Sequence, residues 1–161
     1  MLVIGLALAV WMAQPRLPNA EQISFKVPLS GGQEVPPVFP AGAGMADIGY
    51  DPTTRIVTWT VTYGALSSAV TKAQFHGPAQ PGKNAQAVLS LVKPATPIEN
   101  PINGQATLAP DRAGRFAQGE WYINIATQDH PEGEIRGQII PPLPSRAKDT
   151  HPRQGSRRSK H

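Results

Sequence analysis

The 18 prolines and 15 glycines of this 161-residue chain leave it few places to form a helix. Proline removes a backbone donor and clashes inside a helix, and glycine costs about 1 kcal/mol there relative to alanine. Short strands joined by frequent turns remain, and the chain is long enough for one domain to bury a core. The clearest strand is Arg55-Ile-Val-Thr-Trp-Thr-Val-Thr-Tyr63, where Val57, Trp59, Val61 and Tyr63 alternate with three threonines in the period-2 pattern of a sheet with one buried face. Gly44 to Tyr50 and the turn Asp51-Pro-Thr-Thr54 lead into it as a hairpin. Ile23 to Leu29, Val70 to His76, Gln86 to Val92, Ile102 to Leu108, Gly119 to Thr127 and Gly133 to Ile140 read as further strands, about eight in all. One helical turn is predicted over Pro110 to Gln118, with Asp111 as cap and Phe116 facing inward. The expected class is all-β: an antiparallel Greek-key sandwich or barrel, immunoglobulin-like or superoxide-dismutase-like.

The chain divides into three segments. Residues 1–13 carry no charge and give way to Gln14-Pro-Arg-Leu-Pro-Asn-Ala20, which reads as the apolar core of a secretory signal over residues 1–20. It is short of the roughly 20 apolar residues a membrane span needs, so membrane contact is expected only if this segment stays uncleaved. Residues 21–140 hold all the strand patterns. Residues 141–161 contain one large apolar side chain and are predicted disordered. The formal charge of +4 belongs to this tail: residues 1–140 have 9 Lys/Arg against 10 Asp/Glu, and residues 141–161 have 6 against Asp149 alone. A basic tail of this kind can contact anionic surfaces, and the domain itself gives no sign of a specific nucleic-acid partner. The chain has no cysteine, which excludes disulfides, thiolate metal sites and thiol nucleophiles. Secretion or a periplasmic location is the expectation.

Three blocks then stand out: Leu29-Ser-Gly-Gly-Gln-Glu-Val-Pro-Pro37, Ala73-Gln-Phe-His-Gly-Pro-Ala79, and Trp121-Tyr-Ile-Asn-Ile-Ala-Thr127 running into His130-Pro-Glu-Gly-Glu-Ile-Arg-Gly-Gln-Ile139. In order and spacing they resemble the CHRD domain, named after chordin and found in extracellular animal proteins and exported bacterial proteins. The resemblance implies an exported all-β domain with an extracellular binding role; it does not imply a reaction.

Among these residues, Glu134 and Arg136 are placed two apart on one face of a strand, opposite Ile135 and Ile139. A charged pair so placed can pin a neighbouring strand or loop, Arg136 by a forked contact to a carboxylate or to backbone carbonyls. Gln33 to Pro37 is expected to run as a rigid, extended edge segment. Lys72, Gln74 and His76 share the polar face of their strand, and His130 lies in the loop ahead of the Gly-Glu-Ile-Arg-Gly strand. Brought together with Asp129, His76 and His130 would make a copper or zinc site. Many CHRD members carry a His-x-His pair in the second block and a further His after Asn-Ile, and here those extra positions are Gln74 and Ala126. The candidate binding residues are therefore Gln74, His76, Asn124, His130, Glu134 and Arg136. The loops at Gly77 to Gly82 and Thr127 to Gly133 are the expected contact surfaces. No Gly-x-Ser-x-Gly nucleophile motif occurs, and Glu132 and Glu134 beside Arg136 would be held ionised and make poor general acids. The expectation is a non-enzymatic extracytoplasmic module that binds a protein or polymer, with copper or zinc binding as the alternative.

Overall fold

The computed structural model describes residues 22–142 apart from Ala41 and Ala95. The predicted signal and the predicted basic tail lie outside the described residues. Eight antiparallel strands form: β1 Ile23–Ser30, β2 Ala43–Asp51, β3 Ile56–Gly64, β4 Val70–His76, β5 Ala87–Ser90, β6 Ile102–Thr107, β7 Trp121–Thr127 and β8 Ile135–Ile139. They lie in the order β5-β4-β7-β8-β1-β2-β3-β6 as one curled, half-barrel sheet. The strands fall into two groups of four. Within each group the ladders run over three to nine register positions, whereas β8 and β1 share the single position Ser30↔Arg136. The sandwich or barrel expected from sequence is thus realised as two half-sheets bent toward each other about one joint.

The bend follows from the apolar faces. Along β3, Val57, Trp59 and Val61 are buried and the threonines between them face out or are half-covered, as the alternation predicts. Trp59 meets Phe75 of β4 edge-on at 5.2 Å between ring centroids, although four strands separate β3 from β4 in the sheet order. Such a contact requires the sheet to curl. Phe75 continues to Trp121 at 5.9 Å, Trp121 to Phe116 at 5.6 Å, and Phe116 to Tyr50 at 5.0 Å, so one aromatic chain spans the core with the offset geometries that rings prefer. The indole N–H of Trp59 donates to the Leu91 carbonyl at 3.1 Å, tying the turn after β5 to β3 across the core.

A helix, α1, runs Pro110–Ala117 and buries Phe116 and Ala113. Asp111 lies in its first turn but does not cap it. Ala109 occupies the cap without a side-chain bond, and Pro110 starts the helix, a place where its missing N–H costs nothing. The Gln33–Pro37 segment also differs from expectation. Gly31–Gln33 forms a 3-10 turn closed by the Glu34 N–H to the Gly31 carbonyl, and the chain folds back over the sheet instead of extending along its edge. Pro36 and Pro37 keep the residues after the turn out of the ladder.

Gly104 on β6 stands opposite Trp59 in the β3–β6 ladder and makes room for the indole: a Cβ there would lie 2.4 Å from the Trp59 ring. Gly104→Ala is expected to destabilise the domain by about 2 kcal/mol through overpacking, measurable as a lower urea midpoint with an unchanged slope.

Candidate functional site

The core-facing side chains of β4 and β7 leave a second set on the opposite face. Antiparallel register sets Gln74 beside Asn124 and His76 beside Tyr122, and Asn124 beside Arg136 and Tyr122 beside Gln138 on the other flank. This second face is covered too, since every residue of β7 is buried. The covers are the segments 34–38, 84–87 and 129–133, which with Gln74, His76, Tyr122 and Asn124 line an open cleft of about 690 Å³.

Arg136 fixes the covers. Its guanidinium is buried and lies 3.5 Å over the Tyr122 ring, and the other partner of that ring is His76, stacked at 5.0 Å and 19°. Its N–H groups donate to the Lys83 carbonyl at 2.7 Å and to Asn84 Oδ1 at 3.0 Å, with a longer contact to Gln138 Oε1 at 3.4 Å. Asn84 Nδ2 in turn donates to the Val35 carbonyl at 2.8 Å, so one relay joins sheet, first rim and second rim. The third rim is tied by Asn124 Nδ2 to the Glu132 carbonyl at 3.0 Å and by the His130 N–H to Thr127 Oγ1 at 3.2 Å.

His76 donates from Nδ1 to the Ala85 carbonyl at 2.9 Å, because a carbonyl can only accept. Tyr122 Oη donates to that same carbonyl and accepts from the Ala85 N–H. Burial pulls the His76 pKa below its ordinary value, and the Arg136 and Lys72 charges add to this against the hydrogen bond. The ring is therefore neutral near pH 7, with the Nε2 lone pair free. The side chains of Gln74 and His130 make no hydrogen bond among the described residues.

Four of the six residues singled out by sequence, Gln74, His76, Asn124 and His130, line this cleft. Arg136 lies beneath it. Glu134 does not join it, and the expected pair does not act together. Gly133, at φ +145°, breaks the pleat just before β8, so strand alternation does not reach Glu134. Its carboxylate accepts instead from Ser67 N–H at 2.8 Å, Ser67 Oγ at 2.6 Å, Thr127 Oγ1 at 2.7 Å and Gly42 N–H at 3.3 Å. Burial alone would raise its pKa, but these bonds outweigh it and hold the group below the ordinary value. Of the two expected contact loops, 127–133 borders the cleft, whereas Gly77–Gly82 contributes only Pro81 and Gly82, to a neighbouring depression.

Sequence reasoning does not single out Glu34 as a site residue. It is buried, its Oε1 has no hydrogen-bond partner among the described residues, and a Cβ on Gly133 would lie 2.6 Å from that oxygen. Burial raises its pKa to about 7 despite the Arg136 charge nearby. A signal existed: Glu34 is the sole charged residue between Val27 and Ala46. Asn84 and Ala85 carried none, because their importance comes from where a loop lands.

The positions where CHRD relatives would carry imidazoles, 74, 76 and 126, share this face, yet they supply one imidazole, one amide and one methyl. Among the described residues no group of three His, Cys, Asp or Glu side chains is placed to hold a metal ion. The donor set does not fit a resident copper or zinc.

The CHRD domain family model matches residues 25–139, and the chain belongs to that family. Neither the curated proteins nor the solved structures compared with it gave a match.

Because the folded state raises the Glu34 pKa, the stability this group allows is full below its unfolded value of 4.5 and is lost as pH rises through about 7. Thermal or urea unfolding of Glu34→Gln should therefore match the wild type near pH 4.5. At pH 8 the variant should be more stable by on the order of 3 kcal/mol.

Proposed function

We propose that this CHRD domain is a non-enzymatic binding module working outside the cytoplasm, secreted or periplasmic, with the cleft over β4 and β7 as its ligand seat. The observation that carries the reading is the division of labour among the cleft side chains. Arg136, Tyr122, Asn84 and Asn124 are spent on holding the rims, while the Gln74 amide, the His76 Nε2 and the His130 ring face the opening uncommitted. Fixed walls with a few free polar groups are the usual build of a binding site, since little ordering entropy is left for the ligand to overcome. The apolar N-terminal run supports export, and the partner is an extracytoplasmic protein or polymer. The basic tail contributes unspecific attraction to anionic surfaces, and membrane attachment enters only through an uncleaved N-terminal segment.

A second reading, weak and exchangeable capture of copper or zinc, is favoured by His76 and His130 lining the same cleft. It predicts saturable binding of the metal alone that disappears in a His76→Ala, His130→Ala double variant.

The primary reading is tested by titrating isotope-labelled full chain with soluble peptidoglycan fragments and neutral oligosaccharides while following backbone amides. Perturbations should gather at Gln74, His76, Asn124 and His130, and Gln74→Ala should weaken binding at least fivefold. Perturbations confined to residues 141–161 and abolished by salt would move the function to the tail.

A further inference from the structure

The charged residues lining the cleft are Glu34, Asp129 and Glu132, and no lysine or arginine is among them. An acidic lining alone would mean little, but Glu34 adds an independent observation. Its Oε1 is buried without a donor among the described residues, and it lies against Gly133, which is part of the lining. Arg136 is the nearest cation, yet its donors go to Lys83, Asn84 and Gln138 and its face to Tyr122. The guanidinium therefore leaves the carboxyl unbonded. A buried acceptor without a donor costs about 1–3 kcal/mol, so such a group calls for a partner.

A ligand donor that reaches this carboxyl removes the cost. A cationic donor gains more than a neutral one, because the cleft offers two further carboxylates and the interaction runs through partly desolvated space. Val35, Pro36, Val38 and Ala87 form an apolar strip along the same opening, suited to the carbon stem that carries the charge.

Building on the reading of the cleft as a ligand seat, we infer that it takes a protonated primary amine, with Glu34 as the inner counter-ion and Asp129 and Glu132 at the rim. The step balances as a proton exchange: the neutral Glu34 carboxyl plus an ammonium ion gives a carboxylate–ammonium pair and one released proton. The titratable groups that share the cleft with Glu34 are His76 from β4, Tyr122 from β7, and Asp129, His130 and Glu132 from the β7–β8 loop, and the charge that acts on it is Arg136 from β8. His76 is neutral already, which leaves His130 as the rival source of pH dependence.

Calorimetric titration of the full chain with glucosamine and with Nα-acetyl-lysinamide tests this, each against its amine-acetylated counterpart. The measurements are made at pH 6 and pH 8 in two buffers of different ionisation enthalpy. Both amines, or one of them if the source is specifically a sugar or a lysine side chain, should bind at least tenfold more tightly than the acetylated form. Affinity for Nα-acetyl-lysinamide, whose amine stays protonated at both values, should rise about tenfold from pH 6 to pH 8, with close to one proton released at pH 6; glucosamine, a weaker base, should show a smaller rise. Glu34→Gln should abolish the proton release and the pH dependence while His130→Gln keeps both, and Asp129→Asn should weaken binding about threefold with no change in proton count. Equal binding of amine and acetylated probes would overturn the inference and leave the cleft as a seat for neutral ligands. Proton release that survives in Glu34→Gln and vanishes in His130→Gln would overturn it in favour of the histidine. No heat from any probe, together with no perturbation by the oligosaccharide and peptidoglycan fragments, would overturn both this inference and the reading it rests on.

Discussion

Arg136 is the group on which the remaining arrangement depends. A guanidinium always carries its charge in a protein, so burying one commits the surrounding chain to supply acceptors or lose several kcal/mol. Here the acceptors come from the Lys83–Asn84 turn, and a tyrosine ring supplies the face. Its backbone is the one register position joining the two half-sheets. The same residue thus closes the sheet, lays one rim over it and, through Asn84, draws in the next. Fork geometry makes this possible, since a lysine ammonium in its place would be a point charge without a stacking face.

Two buried carboxyls show how differently a fold can treat one chemistry. Glu134 is given four hydrogen bonds and sits at the junction of the Gly42, Ser67 and Thr127 segments as an ionised staple. Glu34 is given none at Oε1, although it lies near a cation. The first arrangement stabilises the native state at neutral pH. The second withholds stability there, because burial disfavours its charged form.

The strands and their inward faces were legible because period-2 alternation is a local signal, and β3 obeys it residue by residue. The polar grouping of Gln74 and His76 was legible for the same reason, and the inward turn of Phe116 because it is the one large apolar side chain of a short helix. What local signals do not encode is how loops return to a sheet. The Gly31–Gln33 turn, the landing of Asn84 on Arg136 and the burial of Glu34 are decided by the second face of β7, which is covered rather than wet. Alternation distinguishes one buried face from an exposed one. It does not distinguish an exposed polar face from a polar face roofed by loops, so the separate destinations of Glu134 and Arg136 could not be read from their spacing.

That the Gln74 side chain makes no hydrogen bond among the described residues has a consequence for how such a domain can diversify. Residues that hold the rims cannot change without loosening the scaffold, so selection on ligand preference has little room there. Position 74 carries no such burden: its side chain faces the opening from a strand whose other face is locked into the core by Ala73 and Phe75. If the cleft is the ligand seat proposed above, substitutions there would retune what it accepts while leaving the rims and the core face of β4 as they are.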